Sequence, residues 1–173
     1  LKENPMKKLP LILAALLPAL AFAHNDHAHN HGVGQLGIVV EGDQLTLLLE
    51  LPQHDVVGFE RAPRNAREQL TVQAALEKLK TPARLFTPTA AAQCVPSEQK
   101  IDAPLLEGAK GHHGHGDVEV RYVYRCAQPA ALADLKSTVS AEFPRVRSLS
   151  VSFAGPKGQK AGKLDAKNPV FAW

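Results

Sequence analysis

The chain has 173 residues, with 20 Lys and Arg against 17 Asp and Glu for a formal net charge of +3, eight histidines and two cysteines. So even a balance lacks the basic face on which nucleic-acid binding depends, and it excludes that class of partner. Composition otherwise fits a globular domain large enough to bury a core.

Lys7 and Lys8 precede an apolar run over residues 9–20 that ends in Ala21-Phe22-Ala23. This is the pattern of a secretory signal peptide with an A-x-A cleavage site. A membrane span needs about 18 or more apolar residues, and this shorter run carries Pro10 and Pro18. The expectation is cleavage and release into the periplasm, with no stable membrane insertion of the mature chain. Met6 reads as the natural start and Leu1 to Pro5 as upstream residues. With residues 1–23 set aside, 150 remain, holding 17 basic and 16 acidic side chains. We divide them into a His-rich segment, 24–31, and a single α+β metal-binding domain, 32–173.

Leu36, Ile38 and Val40 alternate with other residues, Glu41-Gly42-Asp43-Gln44 interrupts, and Leu45, Leu47, Leu49 and Leu51 alternate again. This predicts a β-hairpin with one core face. Residues 53–63 keep no steady period and read as a loop. Asn65 with Glu68 three residues on predicts a helix start, and Val72, Ala75, Leu76 and Leu79 supply an apolar face before Pro82 ends it. Pro96 confines the Cys94 region to an edge strand. After a Gly-His loop, Val118, Val120, Tyr122, Tyr124 and Cys126 alternate, the clearest strand signal in the chain. Pro129 followed by Leu132, Leu135, Val139 and Phe143 predicts a second helix, closed by Pro144. Leu149, Val151 and Phe153 predict another strand, with a last short strand near residues 160–164. The fold class is α+β, a mainly antiparallel sheet with two packed helices, and the two His-x-His-Gly strand openings suggest pseudo-symmetric halves.

Cys94 and Cys126 lie 32 residues apart in a chain bound for an oxidising compartment, which predicts a disulfide; a thiolate metal pair is the rival reading, unsupported by any C-x-x-C motif. Seven of the eight histidines fall in two clusters, His24, His27, His29 and His31, then His112, His113 and His115. Neutral imidazole is the commonest zinc ligand and also suits nickel and copper(II). In an extended His-x-His the two rings share a face, so His113, His115 and Asp117, with Glu119, offer imidazoles and carboxylates together. His29 or His31 could complete that set, and His54, Asp55 and Glu60 are further candidates. The bland alternatives are a disordered tail and a solvated Gly-His linker.

These segments resemble the ZrgA-like family of zinc-regulated periplasmic proteins. The likeness rests on His29-Asn30-His31-Gly32, on Val57-Gly58-Phe59-Glu60 with Ala62-Pro63, on His115-Gly116-Asp117 followed by Tyr122 and Cys126, and on Asn168-Pro169. The resemblance implies periplasmic zinc binding linked to metal uptake, with components of a zinc transporter as partners. Family members commonly carry a histidine where this chain has Arg61. The expected function is therefore non-catalytic metal capture, buffering or delivery. Two other classes are weighed against it: a metal-dependent hydrolase, for which no H-E-x-x-H or nucleophile elbow is present, and a non-metal interaction module using Lys157, Lys160 and Lys163.

Overall fold

In the computed structural model, which describes residues 30–104, 106 and 116–173, the alternating leucines form the expected hairpin of β1 (Val33–Glu41) and β2 (Gln44–Pro52). The signal-peptide reading, and His24, His27, His29, His112, His113 and His115, lie outside the described residues. Pairing of β2 with β5 (Asp117–Cys126), and of β5 with β4 (Cys94–Asp102), is antiparallel. On the other side β1 runs parallel to β7 (Ser148–Gly155), which turns back into β8 (Gly158–Asp165). Three hairpins thus make one six-stranded sheet, ordered β4-β5-β2-β1-β7-β8.

Because side chains alternate along a strand, one face of this sheet carries Ile38, Leu47, Leu49, Val120, Tyr122 and Val151, all buried. Across from them sits α2 (Ala66–Leu79), with Val72, Ala75 and Leu79 turned into the same core. Asn65 caps this helix by accepting the Glu68 N–H at 2.9 Å. The buried Tyr122 hydroxyl donates to the carbonyl of Leu79 at 2.6 Å, which satisfies one of the orphan acceptors at the C-terminal end of α2. Cys94 and Cys126 face each other across β4 and β5 and are joined as a disulfide. Pro96 lies on β4, an outer strand of the sheet, and the β4–β5 register shifts between Pro96 and Glu98.

The predicted second helix is not formed. In its place a single 3-10 turn (Pro129–Ala131) leads to strand β6 (Asp134–Ser137) and then one helical turn, α4 (Val139–Glu142). The apolar stripe is nonetheless buried, since Leu132, Leu135, Val139 and Phe143 are all core residues. Partners distant in sequence decide the backbone. β6 lies between β3 (Phe86–Pro88), which follows the single turn α3 (Pro82–Leu85), and β9 (Val170–Ala172). The Thr89 hydroxyl accepts the N–H groups of Ala133 and Asp134 at 3.0 and 2.9 Å, bonds a helix would have made internally. With α4 a single turn against the 14 residues of α2, the halves do not repeat each other.

Candidate metal centre

β1 begins, β2 ends and β5 begins at one end of the large sheet. There the chain leaves β2 at Pro52 and forms α1 (Gln53–Val57), a single turn within the stretch read from sequence as a loop. Gly58 ends it in a left-handed conformation, φ +93°, its N–H donating to the His54 carbonyl at 2.8 Å. The buried Gln53 is the fastener of this excursion. Its side-chain amide donates to the carbonyls of Phe59 and Arg61 at 3.0 and 2.9 Å, and its backbone N–H donates to Gly116, just ahead of β5.

On the facing loop, Asn30 to Val33 form a tight turn closed by a 3.0 Å bond from the Val33 N–H to the Asn30 carbonyl. Gly32 takes the position that needs positive φ, at +86°, and a Cβ there would fall 2.3 Å from Arg147 Nε. Arg147 holds the turn by donating its side chain to the His31 carbonyl at 2.8 Å and its backbone N–H to Gly32 at 2.9 Å. Asp55, only 3% exposed, reaches across from α1 and accepts the Gly32 N–H.

These bonds bring three potential ligands together. One ligand atom each from His31, His54 and Asp55 lies within 4.8 Å of the others, and the two imidazole centroids are 4.9 Å apart. Asp55 Oδ1 is 3.6 Å from His54 Nδ1, and Glu60 Oε1 is 3.8 Å from His31 Nδ1. Among the described residues the buried His54 Nδ1 atom has no hydrogen-bond partner, Asp55 Oδ1 at 3.6 Å being beyond hydrogen-bond distance, an arrangement that costs free energy unless something else meets the nitrogen. Two donors bound to one zinc at about 2.0 to 2.1 Å in tetrahedral geometry sit roughly 3.4 Å apart, so side-chain movements of about 1.4 Å or less close the set from its 4.8 Å limit. The residues fit a zinc ion.

The model of the ZrgA family, described as zinc uptake proteins, matches residues 28–173. The chain belongs to the ZrgA family. Among curated proteins the comparison finds no match. In this ZrgA-family chain, no described helix is long and apolar enough to cross a membrane. Its disulfide is of the kind that persists in oxidising compartments.

Of the residues singled out from sequence, His31, His54, Asp55 and Glu60 are brought to one place. Asp117 opens β5 opposite Pro52, at the same end of the sheet, but is not one of the three whose ligand atoms converge. Glu119 lies one strand step further on, opposite Glu50. His29, His113 and His115 are outside the described residues. Arg61, the departure from the family pattern, is bound to Glu68 by two hydrogen bonds of 2.6 and 2.8 Å. That bond raises the guanidinium pKa and, with the Arg64 N–H, lowers the Glu68 carboxyl to about 2. Arg61 thereby ties the end of the Gln53 excursion to the first turn of α2. Lys160 donates to the Ala172 carbonyl beside β9 and lies 5.4 Å over the Phe171 ring, which gives that lysine a structural task. Sequence reading passed over Gln53, Arg147 and the role of Gly32, because each acts through backbone atoms remote in sequence.

Proposed function

We propose that this ZrgA-family protein is a non-catalytic periplasmic zinc carrier that captures the ion at His31, His54 and Asp55, with Glu60 as the adjoining carboxylate, and passes it to an uptake system. The observation that carries the reading is the convergence of these three side chains around a buried imidazole nitrogen that no described residue hydrogen-bonds. Exposure supports carriage rather than permanent structural binding. The side chains of His31, Glu60 and His54 are 57%, 50% and 43% exposed, so an acceptor can approach the ion and exchange ligands. A hydrolytic centre gains from a dry, enclosed site, which these exposures do not provide.

The donor set favours zinc. Both cysteines are consumed in the disulfide, and Met6, the sole methionine, falls in the segment read as a cleaved signal peptide, so neither thiolate nor thioether supports Cu(I). Nickel and copper(II) remain competitors at imidazole and carboxylate ligands, copper above zinc in intrinsic affinity. His113 and His115 precede Gly116, whose carbonyl receives the Gln53 N–H, and that junction makes them the natural source of a supplementary ligand. Calorimetric titration of the full mature chain with zinc tests the proposal. It predicts a saturable exothermic or endothermic isotherm and a zinc-dependent rise in thermal stability, both lost in H31A/H54A; no heat and no thermal shift in the parent protein would sink it.

A further inference from the structure

Helix α2 has a second face besides the one it buries. Arg67, Leu70, Thr71, Ala74 and Lys78 follow one another at helical spacing and, with Phe143, Pro144 and Arg145, line an open groove of about 470 Å³. Leu70 is 66% exposed there, an apolar side chain with no place in the core. The groove floor also includes Asp55, so this surface adjoins the candidate metal centre through a shared residue.

Its charge is unevenly spent. Lys78 donates to the Glu142 carbonyl at 2.7 Å and approaches the Glu142 carboxylate, which Arg84 also binds at 2.9 Å. Asp55 is engaged by the Gly32 N–H. Arg67 and Arg145, by contrast, form no ion pair with any described residue, and Arg145 Nη2 lies 3.0 Å from where a Gly58 Cβ would be, just beyond the helical turn that bears His54. Two guanidinium groups without an ion pair among the described residues, lining the same groove as an exposed leucine, call for an occupant that is both anionic and apolar.

We propose that this groove docks an acidic, amphipathic segment of the protein that receives the metal, its carboxylates on Arg67 and Arg145 and an apolar side chain on Leu70 and Pro144. This inference rests on the carrier reading and names the partner's chemistry. Docking there sets acceptor carboxylates beside Asp55, where they can enter the coordination sphere of the ion. Transfer by ligand exchange then needs no release of zinc into solution.

The test uses the full mature chain labelled with ¹⁵N, titrated in its zinc-free and zinc-loaded forms with a twelve-residue peptide of alternating Glu and Leu pairs, and with its Lys and Leu counterpart. The expected result is saturable amide shifts at Arg67, Leu70, Ala74 and Arg145 with the glutamate peptide alone. R67E/R145E should weaken that binding on the order of tenfold, while R67A/R145A, milder for the fold, shows the same direction. Zinc stoichiometry, measured separately on each variant, should not change. Shifts that centre elsewhere, an equal response to the lysine peptide, the same shifts from inorganic phosphate at equal concentration, or undiminished binding in both variants would overturn the proposal. A chain that binds the peptide in the groove yet takes up no zinc would defeat the carrier reading and leave the docking surface standing.

Discussion

Replacing His54 by alanine separates metal binding from folding more cleanly than any other change at the site. His54 sits inside the single turn α1, where alanine is a favourable helix residue, and its Nδ1 makes no hydrogen bond that the fold would miss. The metal-free protein should therefore keep its thermal midpoint, or gain slightly by losing a buried nitrogen that no described residue hydrogen-bonds. Zinc affinity should respond strongly. Protein zinc sites of four ligands bind with about 10 to 16 kcal/mol, so one ligand accounts for roughly 2.5 to 4 kcal/mol, a loss of some two to three orders of magnitude in Kd. Competition against a chromophoric chelator measures Kd, and differential scanning calorimetry of the metal-free form measures the fold. H54A that binds zinc as tightly as the parent, with affinity lost in H113A/H115A instead, would refute the assignment of His54.

Gly32→Ala should lower zinc affinity about tenfold and cost on the order of 1 to 2 kcal/mol, because φ +86° is unfavourable for an L side chain and the new Cβ would displace Arg147 from the His31 turn. Gly42→Ala, at φ +58° with open space around it, is the control: denaturant titration should show strain while the chelator assay shows no change in zinc binding. Glu68 has its carboxyl lowered from 4.5 to about 2 by Arg61 and the Arg64 N–H. A depressed folded-state pKa contributes stability that is fully present above about pH 4.5 and is lost as pH falls toward 2. E68Q should accordingly be less stable than the parent at neutral pH, and thermal melts taken at decreasing pH should show the gap closing across that window. Tyr122→Phe removes the donor to the Leu79 carbonyl and should cost about 1 to 3 kcal/mol in urea unfolding, with zinc affinity unchanged.

The large sheet was legible because its signals are local. Period-two alternation in residues 36–51 and 118–126 marks strands whose inner faces are the core, and Asn65 with Pro82 brackets α2 in the sequence itself. Residues 129–143 were misleading for the opposite reason. Their four apolar residues repeat at helical spacing, yet Thr89, Phe86–Pro88 and Val170–Ala172 supply hydrogen bonds from far along the chain, and those pairings override the local period. The candidate site follows the same division. Histidine clustering points to His31, and the loop offers His54, Asp55 and Glu60 as further candidates, but the meeting of His31 with His54 and Asp55 depends on the antiparallel register that sets the start of β1 beside the end of β2. Gln53 and Arg147 carry no sequence signal at all, since what they hold are carbonyl oxygens.

A crystal of the full mature protein grown with zinc, with anomalous scattering collected on both sides of the zinc edge, bears most directly on the central claim. An anomalous peak is expected within coordination distance of His31, His54 and Asp55, with Glu60 or a histidine from residues 112–115 completing the shell. A zinc peak held wholly by other residues, with His31 and His54 left uncoordinated, would contradict it.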